Sequence, residues 1–339
     1  MKVFWHGSSI MNRTALITGI TGQDGGYLAK LLLGKGYRVY GLMERSTRYA
    51  FANLDYLGIT GDVDFLDGDM TDEASLIQAV RQSRPDEIYN LAAQSFVGTS
   101  WRQPIVSTEV NAVGVLRLLE TVRHFAPTAR FYQASTSEMF GNSHEDGLQT
   151  ENTPFHPRSP YAIAKLYAYW IVNNYKESYG LFCANGILFN HESPIRGKEF
   201  VTRKITDAVA RIKFGMLDRI GLGNLDSERD WGFAGDYVDA MWRMLQQDQP
   251  GNYIISTGET HPIRDFLSLA FAHAGINDWE RHVYIDPVFK RPAELHSLRG
   301  KSDKARNELG WKPEVSFGEL VRMMVDADLE RVAKEKAAK

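Results

Sequence analysis

The chain has 339 residues, 43% hydrophobic and 24% charged, with a formal net charge of −3. This is the composition of a globular protein able to bury a large core, as one large α/β domain or one and a half. The charge gives no general attraction to nucleic acid or anionic membrane, and no apolar stretch reaches transmembrane length. Cys183 stands alone, so neither a disulfide framework nor a cysteine metal cluster is expected, and no metal site is assigned. The opening MKVFWHGSSI lacks a signal peptide's apolar middle and cleavage site, and Met11 directly precedes NRTALITG. Residues 1–10 are therefore expected to lie outside the core, and cytoplasm is the expected compartment.

From Ala15 onward apolar runs and helical patterns alternate. TALITG reads as a strand and GYLAKLLLGKG as a helix ending at Gly34 or Gly36. RVYGLM and VDFLDGD follow as strands, then a helix opened by Thr71, Asp72 and Glu73 that runs to about Ser83. DEIYNLAA is a strand, VNAVGVLRLLETVRHF a long amphipathic helix, and ARFYQAS the next strand. PYAIAKLYAYWIVNNYKESYG is a helix with proline at its start, followed by the buried strand LFCANGILF. The aromatics of LYAYW are expected to pack in the core.

Repeated βα alternation with near-continuous apolar strands predicts an α/β fold: a Rossmann-type, doubly wound parallel sheet covered on both faces. After Phe189 the rhythm changes to polar loops, helices such as FVTRKITDAVARIKFG, short strands such as RIGLG and NYIISTG, and a last amphipathic helix after WKPEVSF. This half reads as a smaller, interleaved C-terminal substrate-binding domain over the sheet's carboxyl edge. The expected division is 11–190 with parts of about 230–260 for the dinucleotide, and about 191–229 with 261–335 for the substrate.

GITGQDG sets Gly19, Gly22 and Gly25 between a strand and a helix. The first glycine permits a tight turn, the second lets backbone approach a pyrophosphate, and the third lets helix pack on strand. Phosphates would sit at the helix N-terminus, where unpaired N–H groups favour anions. The loop residues Gly19, Thr21, Gly22, Gln23, Asp24 and Gly25 are accordingly assigned to a dinucleotide cofactor. The second strand ends in Glu44 and Arg45. An acidic residue there suits a ribose hydroxyl and an arginine a 2′-phosphate, so NAD and NADP both stay open. Asp69 and Met70 are placed along the adenine, and Leu91, Ala92, Ala93 and Ser95 beneath the cofactor.

Tyr161 and Lys165 are four apart at a helix start and share one face. A tyrosine of pKa about 10 is a poor base until a nearby ammonium and a cationic nicotinamide stabilise its phenolate. Tyr161 could then take a proton from a substrate hydroxyl as hydride leaves the same carbon. Thr136 or Ser135, at the end of the preceding strand, would hold the substrate oxygen. In QASTSEMFG, Ser, Thr and Gly serve a strand-end turn, but the carboxylate of Glu138 is not needed for one.

GITGQDG, LAAQS and the YAIAK helix resemble the extended short-chain dehydrogenase/reductases. YQASTSEMFG, PRSPYAIAKLYAYW, ILFNHESPIRGKEFVTRKITDAVARI and GNLDSERDWGFAGDYVDAMWRMLQQ are similar to the GDP-mannose 4,6-dehydratase family, from about Arg13 to Val332. The resemblance implies that hydride leaves C-4 of the hexose as Tyr161 takes the hydroxyl proton. Glu138 then removes the C-5 proton, and water leaves C-6 with help from Glu138 or Ser137. Hydride returns at C-6, so the net reaction is a dehydration of GDP-mannose. The resemblance also implies cofactor contacts at His191 and Arg196. Substrate contacts are implied at Ser95, Asn190, Lys204, Arg229, Arg291 and Glu294, and a homo-oligomer, dimer or tetramer, is expected.

One departure bears on the cofactor. The family typically has two adjacent arginines after strand two, where this chain has Glu44 then Arg45, and the segment 46–61 is short. NADP is the cofactor the resemblance implies, and NAD the alternative that repulsion by Glu44 leaves open. The rival activities are the same chemistry on another GDP-sugar such as a GDP-manno-heptose, and a sugar-nucleotide epimerase or reductase. A non-catalytic cofactor-binding regulator is the rival from another class.

Overall fold

A computed structural model of the chain describes residues 13–45, 50–142, 148–289 and 298–338. The expected extension at residues 1–10 lies outside the described residues, as do Arg291 and Glu294. The central strands are β1 (Thr14–Thr18), β2 (Arg38–Met43), β3 (Asp64–Asp67), β4 (Glu87–Asn90), β5 (Arg130–Thr136), β6 (Cys183–Leu188) and β7 (Asn252–Ile255). They form one sheet in the order β7-β6-β5-β4-β1-β2-β3, with every pairing parallel. The strand order reverses between β1 and β4, which opens a crevice at their carboxyl ends where open α/β sheets bind ligands.

The helices that matter are α1 (Gln23–Gly34), α2 (Glu73–Ser83), α3 (Gly114–Phe125), α4 (Pro160–Tyr179), α5 (Val201–Lys213), α6 (Ala234–Leu245), α7 (Ile263–His273) and α8 (Phe317–Ala337). Side chains alternate across each strand, so one strand feeds two cores. Ala15 and Ile17 of β1 pack under α1 and α6, whereas Leu16 packs under α2, α3 and α4. Val39 and Tyr40 of β2 divide in the same way. Both faces are thus buried, which is why the strand sequences read as unbroken apolar runs.

A separate core joins α5, α7 and α8 around Val209, Phe266, Phe271, Trp231 and Met324. It holds a buried ion cluster. Arg203 Nε donates to Asp328 Oδ1 and Oδ2 at 3.0 and 2.8 Å, and Thr206 Oγ1 to Oδ2 at 2.6 Å. Arg331 also contacts Asp328. The other end of Arg203 donates to the carbonyls of Pro194 and Arg196 at 2.8 and 3.0 Å, fixing the SPIR loop to α5.

Several expectations change in detail. Helix α1 starts at Gln23, so the glycine loop's second half is already helical. The VNAV segment is a π-helical turn, Glu109–Val113, that precedes α3. Of the aromatics in LYAYW only Tyr169 is buried; Tyr167 and Trp170 are exposed, because they fall on the outer side of α4. Ala305, Leu309 and Trp311, within the range assigned to the substrate half, pack into the sheet's core instead. Among the described residues no helix is long and apolar enough to cross a membrane.

Candidate active site

The glycine loop closes directly onto β1. Gly19 has φ +69°, and a Cβ there would lie 2.8 Å from the backbone nitrogen of Ala92, so only glycine fits. The hydroxyl of Thr18 accepts from Leu91 and Ala92 N–H at 3.1 and 3.0 Å and donates to Asn90 at 2.7 Å, which clamps LAAQS against β1. Helix α1 begins at an N-cap glycine, Gly22, with no side-chain cap. Its first-turn N–H groups therefore lack intrahelical acceptors, and the glycine cap puts no side chain over them. This backbone cradle fits the pyrophosphate of a dinucleotide.

Asp24 and His191, both expected at the cofactor, are bonded to each other. His191 Nε2 lies 2.8 Å from Asp24 Oδ2, and Nδ1 lies 2.8 Å from the carbonyl of Phe189. Gln23 links the same two elements, donating to the His191 carbonyl at 3.0 Å and accepting from Ser193 at 2.7 Å. Burial opposes charge on both partners, yet mutual attraction wins: the Asp24 carboxyl is held below its ordinary range and the imidazole above its own.

The catalytic candidates come from three segments. Thr136 ends β5 in extended conformation, and its hydroxyl accepts from the Glu138 N–H at 3.3 Å, opening the turn Ser137–Phe140. That turn closes at Gly141, where φ is +61° and a Cβ would sit 1.9 Å from the His156 carbonyl. Helix α4 starts at Ser159, whose hydroxyl accepts from Ala162 N–H at 3.1 Å, with Pro160 in the first turn. Tyr161 and Lys165 consequently face inward and are buried. Lys165 Nζ donates to the Ala134 carbonyl at 2.9 Å and lies 5.9 Å from the Tyr161 ring centre.

Burial pushes the Tyr161 phenol up, Thr136 pulls it down by hydrogen bonding, and the Glu138 charge adds to the rise. Burial pushes Lys165 down to about 8, with Asp24 pulling the other way. The expected lowering of the Tyr161 pKa by its lysine is not a property of the chain alone. Burial outweighs the two influences that lower it, the Thr136 hydroxyl and the Arg196 charge.

Thr136, Glu138, Tyr161, Lys165 and Ser135 line one cavity of about 300 Å³, with Asp24, Leu91, Ala93, Ser95, Asn190, His191, Arg196, Lys204 and Arg229 around it. Ser137 does not line it: the turn folds its side chain into the interior, where it is 1% exposed. Met70 packs in the core beneath the sheet, and the Asp69 carboxylate accepts from the Thr71 N–H and hydroxyl at 2.7 and 2.8 Å. Thr21 offers its carbonyl to Asn53 at 2.9 Å. Glu44 and Arg45 are both exposed at the end of β2.

Lys204 Nζ donates to the Gly221 carbonyl at 2.6 Å and sits 3.4 Å above the Phe289 ring. Arg229 donates to the Glu228 carbonyl at 2.7 Å, and Arg196 lies 3.6 Å over the Phe200 ring. Glu192 is one of the lining residues that sequence reasoning missed. It is 2% exposed, accepts from Thr202 at 2.5 Å and lies 3.1 Å from Arg196 Nε. The signal was present in NHESPIR, where a carboxylate and an arginine stand four apart. Among the described residues no group of His, Cys, Asp and Glu could hold a metal ion.

The GDP-mannose 4,6 dehydratase family model matches residues 16–324. GDP-mannose 4,6 dehydratase 2 of Arabidopsis thaliana is 51% identical over 334 residues, 96% of this chain and 89% of its own length. The human GDP-mannose 4,6 dehydratase is 48% identical over 340 residues, 93% and 91% of the two chains. Among solved structures, the dTDP-glucose 4,6-dehydratase DesIV of Streptomyces venezuelae, determined with NAD bound, superposes with a TM-score of 0.83. It is 25% identical, with 97% of this chain and 100% of that one covered.

Proposed function

The chain belongs to the GDP-mannose 4,6-dehydratase family, and from that premise we propose how its cavity removes water from a GDP-hexose. It acts as a nucleotide-sugar 4,6-dehydratase, a hydro-lyase that converts GDP-mannose to GDP-4-dehydro-6-deoxy-mannose and water. The observation that carries the mechanism is the convergence of Thr136, Glu138, Tyr161 and Lys165 on one cavity beside the glycine-loop crevice.

A bound nicotinamide dinucleotide supplies a hydride acceptor at C-4 and a donor at C-6, so no external reductant is consumed. Tyr161 takes the proton of the C-4 hydroxyl at its phenol oxygen, with the Thr136 hydroxyl orienting that oxygen. Lys165, as an ammonium, stabilises the phenolate form of Tyr161 that accepts this proton. The new ketone acidifies C-5, and the Glu138 carboxylate takes that proton. Glu138 then delivers it to the C-6 oxygen as water leaves. As C-6 is reduced, Glu138 relays a solvent proton back to C-5, and Tyr161 releases the proton it holds. Ser137, turned into the interior, has no part in that step.

We assign Lys204 and Arg229 to the diphosphate, and Asn190 and Ser95 to the sugar. Arg196, His191 and the glycine loop serve the cofactor. We favour NADP, whose phosphate would meet Arg45, with NAD as the second reading because Glu44 stands exposed beside it. Substituting Glu44→Arg should raise affinity for NADP over NAD, and an unchanged preference removes that reading of the loop. The cytoplasm and a homo-oligomer remain our proposed setting.

The test is Glu138→Gln, supplied with GDP-mannose and followed by cofactor absorbance and by product. Reduced cofactor should still form, while water loss falls by at least about 100-fold and C-5 deuterium stops exchanging with solvent. Normal turnover would mean that another group is the base. Running a GDP-heptose and dTDP-glucose alongside reads the substrate: faster turnover of either would replace GDP-mannose.

A further inference from the structure

His191 reaches two acceptors at once. A carbonyl oxygen can only accept, and so can an ionised carboxylate. With Nδ1 2.8 Å from the Phe189 carbonyl and Nε2 2.8 Å from Asp24 Oδ2, an Asp24 held ionised calls for hydrogen on both ring nitrogens, an imidazolium in a zwitterionic pair. The ring is also stacked on Tyr237, 4.6 Å between centres at 23°, so it cannot swing away without losing that face. Asp24 is fixed on its other oxygen by Gln23 at 3.1 Å. A carboxylate needing only to bind or repel phosphate would not require this bracing.

The pair lines the same cavity as Tyr161 and Lys165. The charged and titratable groups that line this cavity with the lysine are Asp24 from α1, Tyr161 on α4, Glu138 after β5, and His191, Glu192, Arg196, Glu199, Lys204 and Arg229 beyond β6. Of these, Asp24 is the one whose attraction reaches Lys165, and it also faces the Tyr132 phenol on β5. The phenol of Tyr161 feels Asp24 as well, but behind Thr136, Glu138 and Arg196.

We propose that Asp24 and His191 act together as a positioning pair for the proton-transfer step: the carboxylate keeps the buried Lys165 side chain in its ammonium form, and the imidazolium limits how much of that charge the lysine receives. This rests on the reading of Lys165 above and adds a function to two residues otherwise assigned to the cofactor. It also makes a signed demand. Removing the carboxylate should make the ammonium easier to discharge, whereas removing the imidazolium should make it harder.

The experiment titrates Lys165 in the purified protein by NMR, with 13C in the lysine side chains and the resonance assigned by its loss in Lys165→Met. The same variants are followed by kcat against pH. Asp24→Asn should lower the Lys165 midpoint by about one pH unit. The resulting loss of ammonium should steepen the fall of kcat between pH 6.5 and pH 8 about fourfold relative to wild type, whatever the variant's kcat at pH 6.5. His191→Gln should move the midpoint upward. A cofactor-contact role alone would change retention of the dinucleotide and leave the Lys165 midpoint unmoved in both variants, which overturns the proposal. If the midpoints move as stated while the alkaline limb of kcat does not follow, the pairing stands and the role of Lys165 in turnover fails.

Discussion

Arg203 with Asp328, in the second core, and Asp24 with His191, at the sheet's carboxyl edge, join buried charges of opposite sign in different surroundings. The Asp328 side chain is 0% exposed, and its oxygens are taken by Arg203, Thr206 and Arg331. Asp24 and His191 are 21% and 10% exposed and open onto the cavity. The closed pair saturates its acceptors and so fixes α5, α8 and the SPIR loop at one geometry. The open pair leaves its field available to Lys165 and Tyr161. Burial of a charge pair is therefore not itself a sign of function; the side it leaves unwalled is.

The largest effect should come from breaking the closed pair. Asp328→Ala leaves the Arg203 guanidinium buried without a counter-charge, a loss of about 3–5 kcal/mol. It should appear as a large drop in the urea midpoint with an unchanged slope. Asp24→Asn should cost clearly less, since solvent can reach the imidazolium left behind. Equal drops in the two variants would erase the contrast between the sites.

A smaller effect, different in kind, should appear in the pH dependence of stability. The imidazole of His191 is held above its ordinary value by Asp24. Its contribution is therefore fully present below the unfolded value of about 6.5 and is lost as pH rises through the folded one. The Asp24 carboxyl is held below its ordinary value, so its contribution is present above about 3.9 and is lost as pH falls through the folded one. Urea midpoints of wild type should decline as pH rises from 6.5, and Asp24→Asn should flatten that decline. Parallel curves for the two proteins would show that the imidazolium is not sustained by this carboxylate.

Local chemistry was legible in the sequence where one segment carries it whole. The Gly19 turn, the Tyr161–Lys165 face and the β1 to β6 runs each follow from spacing within a single element. Even the strand alternation that divides Ala15 from Leu16 needs no partner information. What stayed hidden depends on distance or on a turn's hand. Asp24 and His191 meet across 167 residues, so their pairing could be read from neither segment alone. Ser137 sits between two cavity residues in sequence, yet the turn after Thr136 rotates it inward. Helix α6 was not assigned, although Tyr237, Val238, Met241 and Met244 repeat with helical spacing and all enter the sheet's core. It starts directly after the short strand Trp231–Phe233, without a capping side chain, so its usual start signal is missing.

The smallest expected effect concerns a third ion pair, which carries the comparison to its limit. Lys334 Nζ lies 2.6 Å from Glu330 Oε1 on the outer side of α8, with side chains 74% and 68% exposed. The glutamate precedes the lysine by four residues, the favourable order on a helix, and the lysine lies in the last turn, where the dipole welcomes a cation. By distance alone this contact looks at least as strong as the 2.8 Å contact between Arg203 and Asp328. Water screens both charges, however, and either one alone is fully hydrated when its partner is removed. Lys334→Ala should therefore leave the urea midpoint within experimental error, at low salt as well as high. A drop approaching that of Asp328→Ala would show that contact distance, rather than the desolvation of the stranded partner, sets the cost of breaking these pairs.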